Sequence, residues 1–161
     1  IESCYDQTLK RINRGHDFAT TRYAIEETSK RGITTGGHLI LGLPGESEEM
    51  MLNEASILSE LGLHSLKFHQ LLLVKGTAMV EDYEKNPNDF NFMSFERYSD
   101  FIISFLERLS PNIVIERFAG EVPPRFQAGY NWDLLRNEEV VSRIEQKMLE
   151  SNTYQGRLYK Q

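Results

Sequence analysis

The chain has 161 residues, 40% hydrophobic and 11% aromatic, which is enough for one packed domain or part of a larger one and too apolar for a disordered chain. Lys and Arg number 18 and Asp and Glu 24, so the formal charge is −6, which gives no support to a surface built for nucleic-acid backbone. No apolar run approaches the roughly 18 residues of a membrane span, no signal-peptide core is visible, and the single cysteine, Cys4, excludes an internal disulfide or a several-cysteine metal site on this chain; no membrane partner and a cytoplasmic setting are expected.

The chain opens on Ile1-Glu2-Ser3 without an initiator Met, and these residues read as the tail of a strand belonging to a longer protein. Residues 6–14 suit a short helix with Leu9 and Ile12 on its apolar edge and Gly15 as its stop. Asp17 can cap a second helix over 18–31. Residues 34–41 form a strand candidate whose His38-Leu39-Ile40-Leu41 end is nearly continuous in apolar character, as for a strand covered on both faces. After the Leu43-Pro44-Gly45-Glu46 turn, Ser47 can cap a helix over 48–61, with Met51, Ala55 and Leu58 on one face. A strand is expected over 65–74, then a long polar connection over 79–93 with one helical turn.

Residues 94–109 carry the clearest helical period, through Phe95, Tyr98, Phe101, Ile102, Phe105, Leu106 and Leu109. Residues 113–118 are a third full strand, 119–132 a Gly- and Pro-bearing loop, and 138–149 a final helix that Asn137 can cap. Residues 152–161 are a polar tail. Strands alternating with helices argue for a mostly parallel α/β sheet with crossover helices, the C-terminal part of a (β/α) barrel or open sheet. Ligands in such folds sit at the carboxyl ends of strands.

The glycine-rich run from Gly36 to Glu46 lets a flat ligand approach the backbone, or is simply a tight strand-to-helix turn. It is neither a P-loop nor a dinucleotide fingerprint. Arg11 and Arg14 can hold a carboxylate two-pronged, or can cap a helix end. His38 is a structural histidine or a ligand contact. His64 and His69 fall on opposite strand faces, which disfavours a shared metal. Glu116-Arg117 forms an ion pair or a substrate contact. Cys4 reads as an inert small residue, and no paired-carboxylate pattern stands out.

Residues 1–16 resemble the segment after the fourth barrel strand of radical S-adenosylmethionine (SAM) proteins, most closely those related to oxygen-independent coproporphyrinogen oxidase. His38-Leu39-Ile40-Leu41-Gly42-Leu43-Pro44-Gly45-Glu46 is similar to that superfamily's fifth-strand signature. With Leu66-Lys67-Phe68-His69-Gln70-Leu71, Lys75-Gly76-Thr77, Ile115-Glu116-Arg117-Phe118-Ala119-Gly120 and Thr153-Tyr154-Gln155-Gly156-Arg157, the whole chain resembles the C-terminal half of the YhcC-like bacterial Fe–S oxidoreductases.

The resemblance implies a partial TIM-like (β/α) barrel of radical SAM type in the parent. It also implies a [4Fe–4S] cluster and SAM as cofactors, yielding a 5′-deoxyadenosyl radical. It places Glu2 and Ser3 near the ribose or amino-acid part of SAM and Arg14 on its carboxylate. His38 takes a position that is often acidic in relatives, Ile40, Leu41 and Gly42 border the adenine, and Leu71, Leu72 and Leu73 supply backbone or apolar contact to it. The superfamily's three-cysteine loop is absent, so the chain by itself is expected to be inert, to bind no cofactor, and to need the missing N-terminal half as partner. The exposed sheet edge invites pairing with another copy. The substrate is unassigned. The alternative is a non-catalytic α/β binding domain using the 79–93 and 121–131 loops as partner surfaces.

Overall fold

The computed structural model describes residues 1–129, 132 and 135–160. Helices α1 (Asp6–Arg11) and α2 (Phe18–Ser29) precede strand β1 (Gly36–Leu41), which is followed by α3 (Glu48–Ser59) and β2 (Ser65–Gln70). A short strand β3 (Leu73–Val74), α4 (Ala78–Lys85), α5 (Phe95–Arg108), β4 (Val114–Arg117), β5 (Gln127–Ala128) and α6 (Asn137–Glu150) complete the order. The main sheet runs β1-β2-β4, all parallel, and Glu2 adds a parallel bridge to Leu39 on the outer side of β1. Asp17 and Ser47 cap α2 and α3 as their side chains suggest, accepting from the backbone N–H of Thr20 and Met50.

The sheet is helix-covered on one face. Leu39, Leu41, Leu66 and Phe68 point into a core shared with Met51, Ala55 and Leu58 of α3, Phe101, Ile102 and Phe105 of α5, and Val140 and Ile144 of α6. Phe68 packs edge-on against Phe105 with centroids 5.1 Å apart. β1 therefore alternates rather than being buried on both faces: Gly37, Leu39 and Leu41 are buried, while Gly36 and His38 are exposed and Ile40 is half-buried. The opposite face carries His38, Ile40, Lys67, His69 and Glu116, a composition that belongs to an open or ligand-bearing surface.

Other departures from the sequence pattern have physical causes. The expected strand over 65–74 breaks at Leu71, whose N–H donates to the Leu41 carbonyl at 2.8 Å, and β3 pairs antiparallel with β5. Leu71 and Leu73 leave the main core for a second cluster with Leu43 and Phe90. The 79–93 connection holds a full helix, α4, because Met79, Val80 and Tyr83 form a short apolar stripe on that second cluster. α1 stops at Arg11, and Asn13 takes a left-handed φ of 55°.

Asn137 begins α6 rather than capping it; Arg136 is the cap residue, and Glu121 accepts the Asn137 N–H at 2.8 Å. The tail docks: Gly156 and Leu158 donate backbone N–H groups to Leu106 and Glu107, and Arg157 pairs with Glu107 at 2.7 Å. Of the expected loop over 119–132, Tyr130 and Asn131 lie outside the described residues, as does Gln161 of the tail. No described helix is long and apolar enough to cross a membrane.

Candidate functional site

The carboxyl ends of the first strands meet around Glu2. Its backbone is laced into β1 on both sides: its N–H donates to the His38 carbonyl at 2.7 Å, and its carbonyl accepts from Ile40 at 2.9 Å. A φ of 73° at Glu2 turns the chain out of the ladder at that residue. The Glu2 carboxylate lies 3.2 Å from Arg14 Nε. That nitrogen is buried and has no hydrogen-bond partner, so the contact is ionic without being a formed hydrogen bond.

On the open face, His38 and His69 pair across β1 and β2, with Nδ1 and Nε2 3.2 Å apart and ring centroids 5.3 Å apart. Desolvation and the nearby Lys67 charge push His38 below the usual imidazole range; desolvation, then Arg117, do the same to His69. Both shifts favour the neutral rings, and in that form a single N–H bridges the two nitrogens. His69 has room because Gly120 has no side chain: a Cβ there would sit 2.9 Å from His69 Nδ1. Gly120 is in turn held by Gln70, whose amide accepts the Gly120 N–H at 2.7 Å and donates to its carbonyl at 3.1 Å. Lys67 and Glu116 pair at 3.0 Å, so Glu116-Arg117 is not an ion pair with itself.

Two adjoining cavities open here and share Gln70, Leu71, Leu72, Gly120, Glu121 and Val122. The smaller, about 330 Å³, adds Glu2, His38, Ile40, His69 and Arg117. The larger, about 510 Å³, is apolar, with Leu41, Phe92, Met93, Tyr98 and Trp132 in its wall.

The sequence-predicted site residues divide accordingly. Glu2, His38 and Ile40 line the small cavity, Leu41 the larger, and Leu71 and Leu72 both. Arg14 reaches the small cavity through Glu2. Ser3 is fully buried and its hydroxyl donates to Glu46 at 2.5 Å, so its side chain is committed elsewhere. Leu73 lines neither cavity and packs in the second cluster. Gly42 has a φ of 89°, and a Cβ there would meet the Asn91 carbonyl at 3.0 Å, so its task is close backbone packing. Arg11 is spent on Asp82 and Asp89 at 2.9 and 2.8 Å.

Sequence reasoning missed His69 as a partner of His38. It also missed a buried carboxyl pair. Glu46 and Glu54 both lie in the interior below the strand stub: Glu46 accepts from Ser3, and Glu54 accepts the Cys4 N–H at 2.7 Å. Burial raises both, Glu54 to about 8 with the charge of Glu46 adding to the effect. The available signal was the place of Glu54 on the Met51–Ala55–Leu58 face of α3. Cys4 is buried, and burial pushes its thiol far up, so it is inert as expected.

The Radical_SAM C-terminal domain family matches residues 63–150. Uncharacterized protein MJ0486 of Methanocaldococcus jannaschii is 36% identical over 157 residues, 97% of this chain and 48% of that protein. Protein YhcC of Escherichia coli K12 is 32% identical over 119 residues, 74% of this chain and 38% of YhcC. Among solved structures, the archaeal Elp3 of Methanocaldococcus infernus with an N-terminal deletion superimposes with a TM-score of 0.79, covering 96% of this chain and 35% of that one at 20% identity. That likeness is one of fold: the parallel sheet and its helix layer are the C-terminal part of a radical SAM-type barrel. The chain spans half or less of the length of the relatives it matches.

Proposed function

The chain belongs to the Radical_SAM C-terminal domain family, and from that premise we propose that it forms one wall of a SAM site in a cytoplasmic Fe–S oxidoreductase of the YhcC-like kind, related to oxygen-independent coproporphyrinogen oxidase. The carrying observation is the Glu2–Arg14 pair at the edge of the small cavity, with Arg14 Nε buried and short of a hydrogen bond. SAM ends in an ammonium and a carboxylate, and an acid beside an arginine is the complementary set. Arg14 would take the carboxylate and Glu2 the ammonium or ribose. Ile40, Leu71 and Leu72 offer the apolar wall an adenine needs. Ser3, next in the chain, anchors the strand stub to the interior through its bond to Glu46.

The [4Fe–4S] cluster does not fit this chain's own residues. Its only cysteine is buried beside Glu54, and no group of three ligating side chains is set to hold a metal among the described residues. Cluster cysteines therefore belong to the part of the relatives that this chain does not span, which would also close the open sheet face and edge. When bound to such a cluster and reduced, SAM supplies a 5′-deoxyadenosyl radical.

The test is anaerobic reconstitution of the full-length protein with iron and sulfide, followed by SAM, a reductant and an assay for 5′-deoxyadenosine. Product that Arg14→Ala lowers at least about tenfold through weaker SAM binding supports the reading. Absence of both cluster and product returns the chain to a non-catalytic α/β binding domain.

A further inference from the structure

Four of the charges around the small cavity close on one another: Glu2 faces Arg14 at 3.2 Å and Lys67 faces Glu116 at 3.0 Å. The Glu121 carboxylate makes no ion pair among the described residues and is spent on the neutral Asn137 N–H at 2.8 Å. Among the described residues, Arg117 is the one cation lining the cavity. It is half-buried and makes no ion pair among them. Its Nε–H is committed to the Ala119 carbonyl, two residues along the chain. That bond fixes the guanidinium plane and leaves the two terminal nitrogens as an uncommitted fork. Such a fork matches the two oxygens of a carboxylate.

The neighbouring groups sharpen the match. His38 and His69 line the same cavity as a linked pair with one outer donor and one outer acceptor, so they add a hydrogen bond without a second positive charge. One cation and a neutral donor suit a monoanion better than a dianion. We propose that Arg117, with the His38–His69 pair beside it, is the binding site for a carboxylate group of the substrate, separate from the SAM end at Glu2 and Arg14. The assignment to substrate rests on the SAM reading above; the carboxylate site itself does not.

The probe is acetate, titrated against chloride at constant ionic strength into full-length protein carrying ¹⁵N-labelled arginine and histidine. The bond to Ala119 shields the Arg117 Nε–H from exchange and makes it a reporter. The groups facing the two rings are the Ile1 amino group, Lys67, Glu116 and Arg117 for His38, and Arg117, Lys67 and His38 for His69. Acetate is expected to move the Arg117, His38 and His69 signals together and saturably, and to raise the midpoint of the His69 titration as it offsets the Arg117 charge. Arg117→Gln should weaken acetate about tenfold or more, and Arg117→Lys, which keeps the charge and loses the fork, by a smaller factor.

An Arg117 signal indifferent to acetate, or a shift unchanged in both variants, overturns the site. The former is also the result if an acidic side chain from the remainder of the protein already fills the fork. SAM added in a second arm separates the two readings. Acetate and SAM binding together support a substrate site, and SAM displacing acetate overturns the substrate assignment. Acetate binding in a protein that takes no SAM fails the SAM reading and with it the substrate assignment, leaving a carboxylate site alone.

Discussion

Glu54→Gln tests the buried wiring beneath the strand stub. The Glu54 carboxyl is fully buried, with one oxygen accepting the Cys4 N–H and the other without a partner. Burial and the adjacent Glu46 raise it from the ordinary 4.5 to about 8. At neutral pH the folded chain therefore holds a proton that the unfolded chain releases. The sign follows from linkage: this contribution is fully present below about pH 4.5 and is lost as pH rises toward about 8. Each pH unit in that window is worth about 1.4 kcal/mol, so the loss accumulated by pH 7 is between about 3 and 4 kcal/mol at most.

Glutamine keeps the acceptor for Cys4 and needs no proton. It also places a donor in a pocket where Glu46 Oε2 lacks a partner. The variant should be more stable than the parent chain at pH 7 by about 1–3 kcal/mol, and the gap should widen toward pH 8 and close near pH 5. Urea unfolding at four pH values between roughly 5 and 8 reads both curves. A difference that stays constant across that range would refute the neutral state of Glu54.

Two further substitutions probe the backbone around the cavities. Gly42→Ala forces a left-handed φ on a residue whose Cβ meets the Asn91 carbonyl at 3.0 Å, and should cost about 1–3 kcal/mol in the same unfolding assay, with an unchanged slope. Tyr98→Phe removes the buried hydroxyl that donates to the Phe118 carbonyl at 2.5 Å; it should cost about 1–2 kcal/mol and speed amide exchange in residues 118–122.

The parallel α/β order was legible because Pro, Gly and capping residues punctuate strong periodic segments, as at Asp17, Ser47 and the Phe95–Arg108 helix. What escaped was set by tertiary contact. Leu71, Leu72 and Leu73 look like a continuing strand, yet Leu71 turns out on the Leu41 carbonyl and Leu73 serves a different cluster. α4 is masked by its polar majority, since three side chains suffice to seat it. In the site, Glu2, His38 and Ile40 could be placed at strand ends by counting. The His38–His69 contact, the Gln70 bond to Gly120 and the Glu46–Glu54 pocket join residues 31, 50 and 8 positions apart, and no local pattern encodes such meetings.

Between β2 and β4 the backbone register slips after Leu66, and the last ladder pair is Lys67 with Arg117. Three residues past that pair on each segment, at the end of β2 and beyond the end of β4, the Gln70 side chain meets both the N–H and the carbonyl of Gly120. One primary amide, carrying a donor and an acceptor on the same plane, stands in for a rung that peptide groups no longer reach. The separation of the two strand ends is therefore fixed by the length of a glutamine. Asparagine is one methylene too short to span it, and an ionised glutamate has nothing to donate. Since both cavities open between these ends, Gln70 works as a caliper: it sets the width of the mouth by a side chain, while the sheet below is held by its own ladder.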